Sequence, residues 1–230
     1  MAFVLWREAV ALVSTPRCPA CAGPVAQGAG LQRIPLCDSC LERLQLPDGG
    51  LQGDQPLLWC ALAPYCGSLR QLLLRQRPSP QPGLITALAA ALHGCCASAV
   101  AGSLLVPIPS WKRAANPLPA LLAGALVRSS AGAVGLAPQL LQRRRVTVGQ
   151  HHLNRRQRLA NQQGSFAAAR ADDPSVLPLR GGRPPLWLVD DILTTGATAV
   201  EAATALRQAG WAVEGLLCLG RTPEASTTVI

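Results

Sequence analysis

The chain has 230 residues, of which 49% are hydrophobic and 14% charged, with 21 glycines and 20 prolines. This composition excludes a disordered or collagen-like chain and predicts one α/β domain accompanied by a small module. The formal net charge is +9, and Lys112 is the only lysine among the 21 basic residues. Because the planar arginine side chain suits bidentate contacts with phosphate, this charge favours phosphorylated metabolites or nucleic acid as partners. An arginine bias that reflects only genome composition and solubility is the alternative.

The first segment, residues 1–50, begins with an apolar helix candidate and continues into two C-x2-C pairs, Cys18 with Cys21 and Cys37 with Cys40. Fifteen residues separate the pairs, which is the spacing of a four-cysteine zinc ribbon. Each pair places two thiolates on a tight turn, where they can take adjacent corners of a tetrahedron. Four thiolates would fill the coordination sphere, so we expect a structural zinc ion that helps the module to fold. A redox or iron–sulfur role and unligated thiols are the alternatives.

A segment rich in Gly, Pro and Asp at 46–56 is interpreted as the boundary between this module and a second domain over residues 57–230. The second domain opens with a short strand candidate and a helix in which Leu69, Leu72 and Leu73 recur at helical spacing. Three arginines, Arg70, Arg75 and Arg77, occupy the other faces of this helix. We interpret them as the solvated basic side of a docked amphipathic helix.

The Ala-rich segment 84–100 comes closest to a membrane span, but its small residues favour a buried helix, with Cys95 and Cys96 as small hydrophobic side chains. The apolar amino-terminal stretch has Arg7 and Glu8 in its middle and lacks a basic leader, so it is a poor signal peptide. We therefore expect a cytoplasmic protein without a membrane span.

The rest of the chain alternates strand and helix patterns. Strands are predicted at 103–109, 185–189 and 211–219, and helices at about 118–128 and 197–210, the last ended by Gly210. This alternation predicts an α/β fold with a mainly parallel twisted sheet flanked by helices. In such a sheet, ligands bind beyond the carboxyl ends of the strands.

The stretch LWLVDDILTTGAT, residues 186–198, lies at such an end. The amides at the start of the following helix can seat a phosphate, and Gly196 lets the backbone approach it closely. Asp190 and Asp191 can accept hydrogen bonds from vicinal hydroxyls, so the pattern predicts a ribose 5-phosphate unit as ligand. The absence of G-x-x-x-x-G-K-[ST] and G-x-G-x-x-G disfavours nucleoside triphosphates and dinucleotides. An ordinary strand-to-helix turn is the alternative.

These thirteen residues resemble the signature of type I phosphoribosyltransferases, which implies a fold of that type. In this resemblance, Asp190 and Asp191 hold the ribose hydroxyls of phosphoribosyl pyrophosphate and act in catalysis. The 5-phosphate loop is formed by Thr194, Thr195, Gly196, Ala197 and Thr198. The implied reaction is displacement of pyrophosphate from C1 of the ribose by a nitrogen nucleophile, with Mg²⁺ held mostly by the oxygens of the ligand.

The order of motifs along the chain resembles ComF-type competence proteins, from the four cysteines through YCGSLRQLLLRQR and VPIPSWKR to the signature. A family element between the last two is matched by Gln150, Leu153, Arg155, Arg158, Asn161, Gly164 and Phe166. Where the family usually reads RGFNQ, the chain has a shortened KRAANPLP, in which Asn116 is the counterpart of the family asparagine, and Arg77 falls where the family has a lysine.

This resemblance implies further ligand contacts and partners. Lys112 and Arg113 are candidates for the pyrophosphate side, and Arg155 and Arg158 for a hood over the ligand; for each, a solvated surface position is the alternative. A role in DNA uptake is also implied, with single-stranded DNA or DNA-uptake proteins as partners. The rival hypotheses are a non-catalytic accessory that binds single-stranded DNA through the arginine runs 143–145 and 155–158, and a sensor of sugar phosphates.

Overall fold

The computed structural model describes residues 16–25, 36–110, 116–144, 164–173 and 183–223. The predicted amino-terminal helix lies outside these ranges. The helices are α1 (Asp38–Leu44), α2 (Gly67–Gln76), α3 (Pro82–Val100), α4 (Leu118–Ser129) and α5 (Ala197–Gln208). The strands are β1 (Leu51–Gly53), β2 (Leu58–Pro64), β3 (Leu104–Pro107), β4 (Gly135–Leu136), β5 (Leu141–Arg143), β6 (Phe166–Ala168), β7 (Leu186–Val189), β8 (Ile192–Leu193) and β9 (Val213–Arg221).

Seven of the described strands form one sheet in the order β1-β2-β9-β7-β3-β4, and β8 extends the sheet along the end of β9. Neighbouring strands are parallel along the spatial order β2-β9-β7-β3-β4, and β8 is parallel to β9. Of these seven strands, β1 alone is antiparallel to its neighbour, β2. Strands β5 and β6 form a separate antiparallel pair. This arrangement confirms the prediction of an α/β fold whose mainly parallel sheet is flanked by helices.

Both faces of the central strand β7 are buried, which explains its uninterrupted apolar sequence. Trp187 and Val189 pack into the core formed with α3 and α4, whereas Leu186 and Leu188 pack into the core formed with α5. Successive side chains of a strand point to opposite faces, so four residues anchor both helical layers. Val189 thereby brings Asp190 to the carboxyl end of a strand that is fixed on both faces.

By length and composition, helix α3 could cross a membrane, but half of its most apolar 18-residue stretch is buried inside the fold. It packs against β2, β9 and α4. Nine of its residues are buried, including Leu88, Leu92 and Cys96. The prediction of a buried helix is confirmed, and Cys96 is the small buried side chain expected, while Cys95 is partly exposed.

Four short strands depart from the sequence analysis. Strand β1 lies inside the predicted boundary at 46–56, where Gly53 is needed because a Cβ there would lie 2.6 Å from the Trp59 ring. Strand β8 occupies Ile192–Leu193, between the two acids and the predicted 5-phosphate loop, where no strand was predicted. The pair of β5 with β6 lies at the edges of the basic stretch, which carried no strand prediction.

Candidate functional site

The backbone of the two adjacent acids is fixed by the neighbouring strand. The Asp190 N–H donates to the Leu217 carbonyl at 3.0 Å, and the Asp191 carbonyl accepts from the N–H groups of Leu219 at 3.0 Å and Gly220 at 3.1 Å. These bonds join the carboxyl end of β7 to β9, and β8 follows at once along the same strand. The sheet therefore sets the positions from which both carboxylate side chains project.

The Asp191 carboxylate is buried, with 2% of the residue exposed. Its Oδ2 accepts hydrogen bonds from Arg77 Nε at 2.7 Å and from Asn116 Nδ2 at 3.0 Å. Arg77 directly follows α2, and Asn116 precedes α4, where its Oδ1 accepts the Leu118 N–H at 3.2 Å. A single oxygen atom thus connects the ends of two helices to the central strand.

The arginines of α2 do not share one environment. Arg70 and Arg75 are exposed, as the sequence analysis predicted, but the assignment of Arg77 to a solvated basic side is wrong. Its side chain is 33% exposed and is paired with Asp191. Burial opposes its charge, but the hydrogen bond and the negative charge of Asp191 outweigh that effect and raise the pKa of Arg77.

Asp190 has a different environment from its neighbour. The residue is partly exposed, and its Oδ1 accepts the Asp191 N–H at 2.8 Å. Desolvation of its carboxyl group, followed by the charge of Asp191, raises the pKa of Asp190 well above its usual value, and Arg77 only partly opposes this. Asp190 is therefore the acid of the pair whose protonation is favoured by its surroundings.

Arg143, in β5, also places its charge near Asp190. Its Nε donates to the Pro109 carbonyl at 3.1 Å, just beyond β3, and its guanidinium carbon lies 4.5 Å from the centre of the Phe166 ring. Burial lowers the pKa of Arg143, and the Asp190 charge opposes this shift. Arg143 is thus held against the protein, whereas binding of a nucleic-acid backbone by the arginine run 143–145 stays a prediction.

The loop of Thr194–Thr198 turns the chain from β8 into α5. Gly196 is the residue before the helix and has φ +77°, a conformation that favours glycine. Its close packing adds a second requirement, since a Cβ there would lie 2.3 Å from Pro56 Cγ. Arg221 donates to the carbonyl oxygens of Thr194 and Leu193, and Thr222 N–H donates to the latter at 2.9 Å.

Most of the backbone amides at the start of α5 lack an acceptor within the protein. In the part of the chain that the structure describes, the N–H groups of Gly196, Thr198 and Ala199 have no acceptor, and the Ala197 N–H has only Thr195 Oγ1 at 3.5 Å. Unpaired N–H groups at a helix start attract anions. The loop thus offers several donors directly after two carboxylates.

The predicted site residues divide into two groups. The structure describes Asp190, Asp191 and Thr194 through Thr198. Four further side chains lie close to them: Arg77, Asn116, Arg143 and Arg221. Lys112, Arg113, Arg155 and Arg158 lie outside the described residues. Both Asn116 and Arg77 occupy positions marked by the family resemblance, but Arg77 lies 114 positions from Asp191, and no local sequence pattern indicates that contact.

The four cysteines of the amino-terminal segment converge. The sulfur atoms of Cys18, Cys21, Cys37 and Cys40 all lie within 4.8 Å of one another, and those of Cys21 and Cys37 are 3.5 Å apart. Zinc–thiolate bonds of about 2.3 Å at tetrahedral angles place sulfur atoms about 3.8 Å apart. The arrangement therefore fits a closed, four-thiolate zinc site, and these side chains could hold a structural zinc ion.

The surroundings of this cysteine cluster affect its thiols differently. Burial opposes ionisation of Cys18, but hydrogen bonds from the backbone at Cys37, Ala20 and Cys21 outweigh it and lower the pKa of this thiol to about 6. Burial and the neighbouring thiols raise the pKa of Cys40. Because metal ligation requires thiolates, zinc binding at the cluster would release protons.

Comparison with known proteins gives a partial match. Over 84 residues the chain is 37% identical to proteins of Salmonella typhi and Salmonella typhimurium (strain LT2), both named DNA utilization protein YhgH. The match covers 36% of this chain and 33% of each relative, so the chain spans about a third of the length of the curated relatives it matches. No protein-family model matches the chain.

Proposed function

We propose that residues 57–230 form a type I phosphoribosyltransferase-like domain that binds phosphoribosyl pyrophosphate, and that residues 1–50 form a zinc-ribbon module. The observation that carries this proposal is the succession, at the carboxyl end of a buried parallel strand, of two carboxylates and a loop with unpaired amides. Carboxylates accept hydrogen bonds from vicinal hydroxyls, and the amides of a helix start bind phosphate. A ribose 5-phosphate unit has both groups.

The proposed reaction is displacement of pyrophosphate from C1 of the ribose. A nitrogen nucleophile forms a bond to C1 while the bond from C1 to the diphosphate oxygen breaks, and that oxygen keeps the electron pair; the nitrogen then loses a proton to solvent. Asp190 and Asp191 would hold the hydroxyls and stabilise positive charge at the ring, and residues 194–198 would fix the 5-phosphate. Catalysis would then depend on positioning and electrostatics.

Magnesium belongs to this proposal as a partner of the ligand. Mg²⁺ prefers oxygen ligands and usually keeps several of its waters, so diphosphate oxygens would hold it, and the partly exposed Asp190 is a protein carboxylate that could join them. When bound, it would neutralise charge on the leaving pyrophosphate.

The test of turnover is pyrophosphate release from phosphoribosyl pyrophosphate in the presence of candidate nitrogenous acceptors. We expect release with wild-type protein and its loss in Asp190→Asn combined with Asp191→Asn. Asp172→Asn is the control, because Asp172 is an exposed carboxylate whose salt bridge, among the described residues, is with the exposed Arg170. Equal release by the double variant would remove the proposed role of the acids, and binding without turnover would favour a sugar-phosphate sensor.

A second candidate function follows from the name of the two relatives. DNA utilization and the net charge of +9 support a role in DNA uptake, in which the chain acts with DNA-uptake proteins or binds single-stranded DNA. Arg144 follows the partly buried Arg143 and is exposed. Of the described residues in the arginine run 143–145, it is the one best placed to contact a phosphate backbone. Binding of single-stranded DNA should then weaken steeply with salt, and Arg144→Gln with Arg155→Gln and Arg158→Gln should flatten that dependence. A flat response in wild-type protein would contradict direct DNA binding.

A further inference from the structure

Arg77 lies at the site, but the proposed function gives it no role. It forms a hydrogen bond to Asp191 through Nε alone, at 2.7 Å. In the described part of the chain, its two terminal nitrogens have no hydrogen-bond partner. One third of the side chain is exposed. Arg77 therefore has donors that can reach a ligand while its Nε stays bound.

The contact with Asp191 fixes the direction of the guanidinium group. Asp191 is almost fully buried and is itself held by Asn116 and by the backbone of β9. A buried ion pair contributes little net stability because desolvation offsets the attraction between its charges, so the main effect of this pair is to orient the guanidinium group. The planar guanidinium, held at one nitrogen, presents the others in a fixed plane that matches a phosphate group.

The ligand of Arg77 must be anionic and must differ from the group that occupies the helix start. In the proposed function, the amides of Gly196 through Ala199 bind the 5-phosphate. Arg77 is connected through Asp191 to Asn116, which directly follows the segment with Lys112 and Arg113, the residues assigned to the pyrophosphate side. A second phosphate-bearing group, the diphosphate, is the remaining anion of the proposed ligand.

We propose that Arg77 is an anion-binding residue that Asp191 orients and that contacts the diphosphate of phosphoribosyl pyrophosphate. This inference rests on the proposed function. It adds a task for Asp191: both acids would hold ribose hydroxyls, and Asp191 also uses its Oδ2 to position a cation. It also explains how an anion of high charge enters a site that contains two carboxylates, since Arg77 offsets part of their charge.

The test compares dissociation constants for ribose 5-phosphate, inorganic pyrophosphate with Mg²⁺, and phosphoribosyl pyrophosphate with Mg²⁺. Arg77→Gln and Arg77→Lys are the variants. Arg75→Gln is the matched control, because Arg75 lies exposed in the same helix and its replacement changes the net charge equally. Arg77→Lys keeps a cation beside Asp191 and so protects the fold, but a point charge cannot hold the carboxylate and a diphosphate in one plane.

We expect both Arg77 variants to bind pyrophosphate and phosphoribosyl pyrophosphate about ten- to a hundredfold more weakly, the effect of losing charge-assisted hydrogen bonds. Ribose 5-phosphate affinity should stay within about twofold in Arg77→Lys, and Arg75→Gln should match wild-type protein. Unchanged pyrophosphate binding in Arg77→Lys and Arg77→Gln, or an equal loss of all three ligands in Arg77→Lys, would overturn the inference. If wild-type protein binds ribose 5-phosphate but not pyrophosphate, the role of Arg77 is overturned and the proposed ribose 5-phosphate site stands. If wild-type protein does not bind ribose 5-phosphate, the proposed function is overturned as well.

Discussion

Asp190 and Asp191 are adjacent in sequence, but the structure gives them opposite electrostatic surroundings. Asp191 is buried against Arg77 and Asn116, so its negative charge is matched. Asp190 is partly exposed, and its carboxyl group accepts a backbone N–H while desolvation and the charge of its neighbour disfavour ionisation. Replacing each acid with its amide isostere should therefore have different effects on the free energy of unfolding.

Asp191→Asn should lower the free energy of unfolding by about 1–3 kcal/mol, because it leaves a partly buried guanidinium without its counter-charge. The value is below that of a fully buried pair since Arg77 remains one third exposed and water screens part of the loss. Urea denaturation measures the change. The control is Asp172→Asn, which removes an exposed pair and should leave the unfolding midpoint near that of wild-type protein. Equal midpoints for both variants would contradict the importance of the buried pair.

The raised pKa of Asp190 predicts a dependence of stability on pH. The folded protein holds this proton more tightly than the unfolded chain, whose carboxyl group has the ordinary pKa of 3.8. The stabilisation is fully present below that value and is lost as pH rises through the higher pKa of the folded state. Unfolding free energies measured in urea across this window should fall with pH in wild-type protein and fall less in Asp190→Asn. Parallel curves for the two proteins would show that Asp190 titrates normally.

At the scale of structural elements, the proposed phosphate loop, Thr194–Thr198, depends on contacts with residues that are distant in sequence. Gly196 combines positive φ with close packing against Pro56, and Arg221 at the end of β9 holds the Thr194 carbonyl. Together these contacts hold the loop from two sides and leave the amides at the start of α5 unpaired. The shape of the loop is therefore set by the segment before β2 and by β9, as well as by its own sequence.

Gly196→Ala should destabilise the protein more than Gly102→Ala. Both glycines have nearly the same φ, +77° and +75°, so both variants have a backbone strain of about 1 kcal/mol. Only at Gly196 does the added Cβ meet another residue, since nothing lies within 4 Å of the corresponding position at Gly102. Denaturation midpoints and ribose 5-phosphate affinity measure the difference. Equal destabilisation by the two variants would show that the contact with Pro56 is unimportant.

Long elements with a clear pattern could be predicted from the sequence, and short ones could not. An uninterrupted run of apolar residues predicts β7, because both faces of that strand are buried. Leucines at helical spacing predict α2, because one side of that helix is buried. Strand β1 has no such signature, since its Gln and Gly residues pair only at an edge of the sheet. Arg77 shows the same limit at the site, because the pattern of its helix identifies a polar face but not a partner far along the chain.

At the scale of the whole molecule, the cysteine cluster is packed into the larger of the two described cores. Cys18, Cys40 and Leu44 are buried together with Leu69 and Leu73 of α2. Helix α1 also contacts α2, whose end carries Arg77. Loss of the proposed zinc ion should therefore disturb the helix that supports the site, and not only the amino-terminal segment.

Purified protein should contain one zinc ion per chain by elemental analysis, and chelation should lower the thermal midpoint. Cys40→Ser should lose the metal because one of four thiolates is removed. The control is Cys66→Ser, since Cys66 is an exposed cysteine outside the cluster and should keep both the metal and the midpoint. Metal-free wild-type protein with an unchanged midpoint in the presence of chelator would contradict a structural zinc site.

The central claim is that the carboxyl end of β7 binds a phosphorylated ribose, and titration calorimetry with phosphoribosyl pyrophosphate and Mg²⁺ tests it most directly. We predict saturable binding at a single site in wild-type protein and binding at least about tenfold weaker in Asp190→Asn, because a ribose hydroxyl then loses its carboxyl partner. Folded, zinc-loaded wild-type protein that gives no binding heat at several temperatures, or an Asp190→Asn variant with wild-type affinity, would contradict the account.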